Sequence, residues 1–416
     1  MPTTIKLGET PDLQVFFHRG NSPYLLVTWS EMEMKADGVR FWGDRLAEQG
    51  GINTIGIMAT RPHWFPGDAV AAVMPLIQPY LDEFAERVVY GHSMGGYAAL
   101  KYGRLLGART AIAFCPQLSI DPEDVGEFDD RYIGHFEPAR HRGMAVGAAD
   151  AASKVFLFYD PWFKADRAQI ERIEAVLPKV RHVRMPMSGH ETIWLFAGTV
   201  RGGAMIEACR RDDVAAVRAI GFPQRRSFNS RPYFCALALA ERGRTRWAKA
   251  VYDAGCREIP DKRKLIFLQA LTVHGKDGLT AQALADALAV APDQARLMEW
   301  AARLLAERGR WEEADSWAAR ALEIIPSSPD LLDLHGAVLM ELGRLGEAER
   351  ALRAAVRAAP GSARFTRRLA HIHARKGDLD TALDWAERAV EIDSRDHRSL
   401  ELRRSLIERL MKPAFS

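Results

Sequence analysis

The chain has 416 residues, 48% hydrophobic and 27% charged, which is enough for two or three domains with sizeable cores. Its 57 basic and 54 acidic residues leave a net charge of +3, giving no electrostatic ground for a nucleic-acid or anionic-membrane partner. Cys115, Cys209, Cys235 and Cys256 are far apart and form no Cys-x-x-Cys pair, so neither a disulfide framework nor a zinc site is expected, and no other metal or cofactor. Residues 1–10 lack the basic region and apolar core of a signal peptide, and no apolar run is long enough to span a bilayer. A cytoplasmic location without membrane insertion is the expectation.

Residues 14–18 and 24–29 are short apolar runs separated by a cluster of turn residues, Arg19-Gly20-Asn21-Ser22-Pro23, and read as two strands. Residues 36–49 are amphipathic and stop at Gly50-Gly51, as a helix does, and 53–59 follow as a strand. The helical period of 69–86 carries Pro75 and Pro79, which imply a kink or break. Further strands are expected at 87–90, 109–114, 154–159 and 180–187, with helices at 97–106 and 167–177. Strands alternating with helices argue an α/β fold with a doubly wound, mostly parallel sheet.

Within this half, the run 88–97 contains Gly91-His92-Ser93-Met94-Gly95-Gly96 between a strand-like and a helix-like segment. A serine on so sharp a turn needs tiny residues two before and two after it, so that strand and helix can cross; Gly91 and Gly95 meet that need. The amide of Met94, opening the helix, would face a developing oxyanion. Asp160 closes one later strand, and His190 follows another in Met187-Ser188-Gly189-His190-Glu191. Residues 5–205 thus resemble an α/β-hydrolase, with a GHSMGG elbow and the chain order Ser, Asp, His.

The resemblance implies Ser93 as nucleophile, His190 as general base and Asp160 as the acid that fixes the imidazole's tautomer. Asp166, six residues on, is the alternative acid if Pro161-Trp162-Phe163 bends back; otherwise it reads as a helix N-cap. His92 is expected to pack away from the nucleophile, and His18 and His63 to be structural. Many members of that family carry a His-Gly dipeptide after the third strand, whereas the matching stretch here is Thr28-Trp29-Ser30-Glu31-Met32. An amide of Trp29 or Ser30 could complete the oxyanion hole with Met94, while Glu31 would repel the oxyanion if its carboxylate pointed inward. Residues 119–152 fall where hydrolases insert a cap and are rich in charge of both signs, which suits a polar substrate or a partner surface. Trp29, Trp64, Phe65 and Trp162 could line a pocket at the strand ends.

Past residue 204 the strands give way to helices with a fixed period. Gly275, Gly309, Gly343 and Gly377 are 34 residues apart, as are Pro292, Pro326 and Pro360; Ala314, Ala348 and Ala382 keep the same spacing, and so do Ala287, Ala321, Ala355 and Ala389. This resembles the tetratricopeptide repeat (TPR), a helical hairpin with small residues where its two helices touch. A degenerate unit with Gly243, Ala248 and Pro260 extends the array back to 229, and 399–410 suits a capping helix. The expected domains are 1–205, α/β-hydrolase-like; 206–228, a helical connector; and 229–411, an all-α TPR superhelix. Arg303, Arg310, Arg344, Arg367 and Arg368 suggest a carboxylate clamp, or else a solvated face.

Two functions follow as expectations. One is a serine hydrolase or acyltransferase acting on an ester or thioester, such as a glycan-linked acyl ester, with the repeats binding a protein or peptide or driving oligomerisation. The other is a catalytically weak α/β-hydrolase-like binding module on a TPR scaffold, in glycan or cell-surface assembly.

Overall fold

The computed structural model describes residues 4–126, 128–177, 179–256, 260–274, 286, 288–289, 294–394 and 396–411. The chain divides into two units, one of Met1–Arg242 with Arg246–Arg257, the other of Gly243–Thr245 with Glu258–Ser416.

The first unit is built on eight strands: β1 (Thr4–Glu9), β2 (Leu13–His18), β3 (Leu25–Trp29), β4 (Asn53–Ala59), β5 (Arg87–His92), β6 (Thr110–Phe114), β7 (Lys154–Tyr159) and β8 (Val180–Arg184). They form one sheet in the order β1-β2-β4-β3-β5-β6-β7-β8. β2 runs antiparallel to both neighbours, and every pair from β4 to β8 is parallel. Alternate residues of each strand feed two cores. Leu25, Val27 and Trp29 join one cluster with helices α2 (Gly67–Asp82), α3 (Met94–Lys101) and α6 (Lys164–Val176). Leu26, Val88 and Phe156 join a second cluster with α1 (Asp44–Gly50), α7 (Thr199–Arg210) and α8 (Val214–Gly221). Two-sided burial is why these strands read as unbroken apolar runs rather than alternating ones. Two short helices, α4 (Pro122–Val125) and α5 (Pro138–His141), lie in the insert between β6 and β7.

Three local expectations change. The helix expected over 36–49 is only Asp44–Gly50, entered through Gly43 at φ 91°. The segment before it is irregular, and its Phe41 is buried beside Phe16 and Met58. The helix α2 continues through both prolines. Pro75 and Pro79 are exposed, and the carbonyls they leave without a donor, those of Ala71 and Pro75, belong to exposed residues that water can serve. Strand β1 has no counterpart in the apolar pattern because it is a half-exposed edge with an irregularity between Lys6 and Gly8.

Among the described residues, the second unit holds the helix Asp261–His274 and then helical hairpins, Ala295–Glu307 with Trp311–Ile324, Pro329–Glu341 with Leu345–Ala358, and Ala363–Lys376 with Leu379–Ile392, followed by His397–Met411. The 34-residue register has a direct physical meaning. Ala314, Ala348, Ala382, Ala321, Ala355 and Ala389 are fully buried, and Gly309, Gly343 and Gly377 adopt φ of 70°, 76° and 85° in the inter-helix turns. A side chain larger than methyl would push the helices apart. Gly275, Ala287 and Pro292 lie outside the described residues.

The boundary expected at 229 shifts. Helices α9 (Arg231–Glu241) and α10 (Thr245–Gly255) group with the sheet, not with the repeats. Phe234 of α9 meets Phe163 edge-on at 6.3 Å, and Arg242 stacks over Trp162 at 5.1 Å. The connector 206–228 holds α8 and the end of α7.

Candidate active site

Ser93 sits at the crossing of β5 and α3. Its backbone is at φ 53°, ψ −117°, a costly conformation for a non-glycine residue, held by Ser93 N–H to Phe114 O (2.8 Å) and Tyr97 N–H to Ser93 O (2.9 Å). The glycines are obligatory. A Cβ on Gly91 would lie 2.1 Å from Gly95 O, and one on Gly95 would lie 2.4 Å from Trp29 O.

His190 reaches the serine from the loop after β8. With Nδ1 protonated, Nδ1–H donates to Asp166 Oδ2 at 2.8 Å, Oδ1 lying at 2.9 Å, and Nε2 accepts from the Ser93 hydroxyl at 2.9 Å. Asp166 also accepts from Arg131 Nη2 at 2.8 Å, and Arg131 is itself anchored on Asp129. Burial alone would raise the Asp166 carboxyl; His190 and Arg131 outweigh it and hold the group below the usual carboxylate range. Burial depresses His190 below the ordinary imidazole value, against the pull of Asp166 and with help from Arg131 and His92. These directions are compatible, because Arg131 gives Asp166 a permanent cation even while His190 is neutral. The pair is poised as carboxylate and neutral base.

Asp160, the acid preferred from the sequence, is not in contact with the imidazole. Its Oδ2 accepts from the amides of Ser188 (2.9 Å) and Gly189 (2.8 Å), and its Oδ1 from that of Trp162 (2.8 Å). It shapes the histidine loop from beneath. The chain turns back at once, Phe163 N–H to Asp160 O, so α6 begins at Lys164 and Asp166 projects from its first turn. The N-cap reading of Asp166 fails as well, since Phe163 holds that position.

On the oxyanion side, Met94 opens α3, where an amide has no intrahelical acceptor. Trp29 does not belong there. It is an interior residue of the sheet, paired with Ile57 on one side and Gly91 on the other, and its side chain is fully buried against Phe65 and Tyr102. Amides of an interior strand face one neighbour or the other: Leu25 N–H bonds Glu86 O before β5, and Ser30 N–H bonds Ile57 O of β4. The first amide past the ladder is that of Glu31. The Glu31 carboxylate, in turn, is held by His92 Nδ1 at 2.7 Å. His92 therefore does not simply pack; its other nitrogen bonds His190 O at 2.9 Å.

Tyr132 is the residue that sequence reasoning missed. Its hydroxyl is 3.2 Å from His190 Nε2, its ring packs on Trp64 (4.9 Å), and Arg131 stacks over it at 5.0 Å. No spacing marks it, because it comes from the charged insert. Trp64 itself is fully buried and donates through Nε1 to Gln117 Oε1 at 3.0 Å. Trp162, 38% exposed, faces outward beneath Arg242. His63 bonds Asp12 O and the Phe65 amide, and His18 is bonded to Thr4; both are structural, as expected.

The charge of residues 119–152 is largely spent on holding the insert down. Arg140 pairs with Asp12 and Asp68, Lys101 with Asp150, and Arg131 with Asp129 and Asp166. Among the described residues, the donors of Cys115, Asp166 and His190 lie within 4.8 Å of one another. Those of His190 and Asp166 are engaged with each other, with Ser93 and with Arg131, and burial keeps the Cys115 thiol protonated. The set fits a proton relay better than a metal. In the repeats, Arg303, Arg310, Arg344, Arg367 and Arg368 pair with Glu299, Glu313, Glu347, Asp396 and Asp333 respectively, which speaks for ion-paired faces over a preformed clamp.

A tetratricopeptide-repeat family model matches residues 280–329 and 334–397, so the C-terminal region carries TPR repeats. No curated protein matches the chain. Among solved structures, it is similar to a chain of the APC/C hetero-tetramer Cut9–Hcn1, with 15% identity, a TM-score of 0.36, and coverage of 50% of this chain and 40% of that one. It thus spans less than half of that relative. It is similar to YrrB, described as a TPR protein with an unusual peptide-binding site, at 18% identity and TM-score 0.37 over 42% of this chain and 91% of that one. A third similarity is to the first TPR of Spaghetti (RPAP3) bound to an HSP90 peptide, at 17% identity and TM-score 0.27 over 28% and 95%. Among the described residues, no helix is long and apolar enough to cross a membrane.

Proposed function

We propose that the first unit is a serine hydrolase or acyltransferase of the α/β-hydrolase kind, and that the repeats bind a protein or peptide partner. The observation that carries the proposal is the continuous relay from Ser93 Oγ through His190 to Asp166 at 2.9 and 2.8 Å, on a serine whose backbone is strained by the elbow. The parallel core of the sheet, with the serine after one strand and the histidine after the last, supports the same reading.

In this mechanism Ser93 Oγ attacks the carbonyl carbon of an ester or thioester while His190 Nε2 takes its proton. The tetrahedral oxyanion is met by the amides of Met94 and Glu31. Imidazolium then returns the proton to the departing alcohol or thiol, leaving an acyl-serine. Water or a second acceptor, deprotonated by His190, releases the acyl group. Asp166 keeps the Nδ1–H tautomer, and Arg131 keeps Asp166 ionised. The substrate class is a small acyl ester or thioester, glycan-linked esters included.

A fluorophosphonate probe tests the proposal. Wild-type protein is expected to be labelled at neutral pH and Ser93→Ala not at all; equal labelling of the two would refute it.

A further inference from the structure

The sheet register brings Glu31 and His92 together. Trp29 of β3 is paired with Gly91 of β5, so the residues just beyond, Glu31 and His92, emerge side by side at the strand ends, next to the nucleophile. His92 Nε2 lies 2.9 Å from His190 O, and a carbonyl can only accept, so Nε2 carries a proton. His92 Nδ1 lies 2.7 Å from a carboxylate oxygen of Glu31. That short contact requires a proton between the two atoms. A bare lone pair facing a carboxylate would be repelled.

We infer that His92 is a doubly protonated positioning residue, a clamp that ties the loop carrying the Glu31 amide to the loop carrying His190 and keeps the Glu31 carboxylate away from the oxyanion at Ser93. The inference rests on the reading of Ser93 as nucleophile. It explains how an acidic residue is tolerated where an oxyanion must be held, since the pair is neutral as long as it keeps its proton. The charges facing His92 are Glu31 from the loop after β3, the His190 ring at 5.2 Å from the loop after β8, and Asp166 from α6, itself covered by Arg131. Burial disfavours the His92 cation, but Glu31 outweighs it and raises the imidazole above its ordinary value, and Glu31 is lowered in turn. As pH rises through that raised value the shared proton leaves, the pair becomes an anion, and the oxyanion is opposed. The clamp therefore sets an alkaline limb on acylation.

The test combines charge and rate. Imidazole ¹⁵N spectra at neutral pH are expected to show His92 protonated on both nitrogens in the wild type and on one in Glu31→Gln. Fluorophosphonate labelling is expected to fall at alkaline pH in the wild type, and that limb to be absent in Glu31→Gln. His92→Ala, which strands the carboxylate, should label slower on the order of tenfold to hundredfold. The double variant Glu31→Gln/His92→Ala should label faster than His92→Ala, an order that loss of packing alone would not produce. If labelling of the wild type does not depend on Ser93, the catalytic reading fails and the clamp's role with it. If it does depend on Ser93, but His92 is singly protonated or the double variant is no faster than His92→Ala, the clamp alone is overturned.

Discussion

Asp160 and Asp166 lie six residues apart, both are buried, and the site gives them opposite sensitivities to the same change. In Asp166→Asn one carboxylate oxygen becomes an NH₂; the Oδ1 position is the one that Arg131 Nη2 contacts at 2.8 Å, and the Oδ2 position lies 2.8 Å from His190 Nδ1. Arg131 can only donate, so the oxygen goes to it and the new NH₂ faces His190 Nδ1. A donor there forces Nδ1 to accept and moves the ring proton to Nε2, which then no longer accepts from Ser93. The same swap in a Ser-His-Asp triad costs about 10⁴-fold in turnover, or about 5.4 kcal/mol of barrier at 1.36 kcal/mol per decade. In Asp160→Asn the oxygen still accepts from Ser188 and Gly189, and the NH₂ is left against the Trp162 amide. One buried hydrogen bond is lost, which costs about 1–3 kcal/mol of stability, and loosening of the loop slows turnover by no more than about 10²-fold. The assay is p-nitrophenyl acetate hydrolysis with parallel thermal unfolding. Turnover should collapse in Asp166→Asn, which also loses the buried charge that Arg131 pairs with, whereas Asp160→Asn should lower the melting temperature and keep part of the turnover. A folded Asp160→Asn slower than Asp166→Asn would refute the assignment.

Two further outcomes are expected. His190 acts only when neutral, and burial depresses its pKa, so labelling at acidic pH should persist to below the ordinary imidazole value of 6.5 and fall as pH drops through the depressed one; an acid limb above 6.5 would contradict the burial argument. Tyr132→Phe removes a hydroxyl 3.2 Å from His190 Nε2 but leaves the ring on Trp64, so kcat for p-nitrophenyl acetate should fall on the order of tenfold with the fold intact, and an unchanged kcat would remove Tyr132 from the chemistry.

What could be read in the sequence was what short-range geometry dictates. The elbow was legible because Gly91 and Gly95 answer a contact that only glycine permits. The repeats were legible because the same burial recurs every 34 residues, and the positions that carry it, such as Ala348 and Ala382, are buried completely. Which carboxylate meets His190 was not legible from chain order alone. Asp160 occupies the expected strand end, and the choice turns on which partners compete for it: three loop amides claim Asp160, and the turn after it sets Asp166 under His190. Trp29 is the last paired residue of its strand, between Ile57 and Gly91, and the next amide, that of Ser30, bonds Ile57 O, a register that the apolar run alone does not reveal. Tyr132 and Arg131 approach through tertiary packing of an insert whose sequence signals only charge.

The boundary at 229 failed for a reason that bears on the site. Gly189, next to His190, has φ 55°, and a Cβ there would lie 2.0 Å from the Phe234 ring of α9. Phe234 also meets Phe163, which caps the helix carrying Asp166. The first helical hairpin is thus a wall of the loops that present both His190 and Asp166, although its Gly243, Ala248 and Pro260 have the spacing of a repeat. The repeat pattern records the close approach of α9 and α10, where a Cβ on Gly255 would lie 2.5 Å from Pro232 Cβ, and the full burial of Ala248. It does not record which domain they complete. An α/β unit cut at the repeat boundary would lose the aromatic support of its histidine loop, so the hairpin belongs functionally with the relay it buttresses.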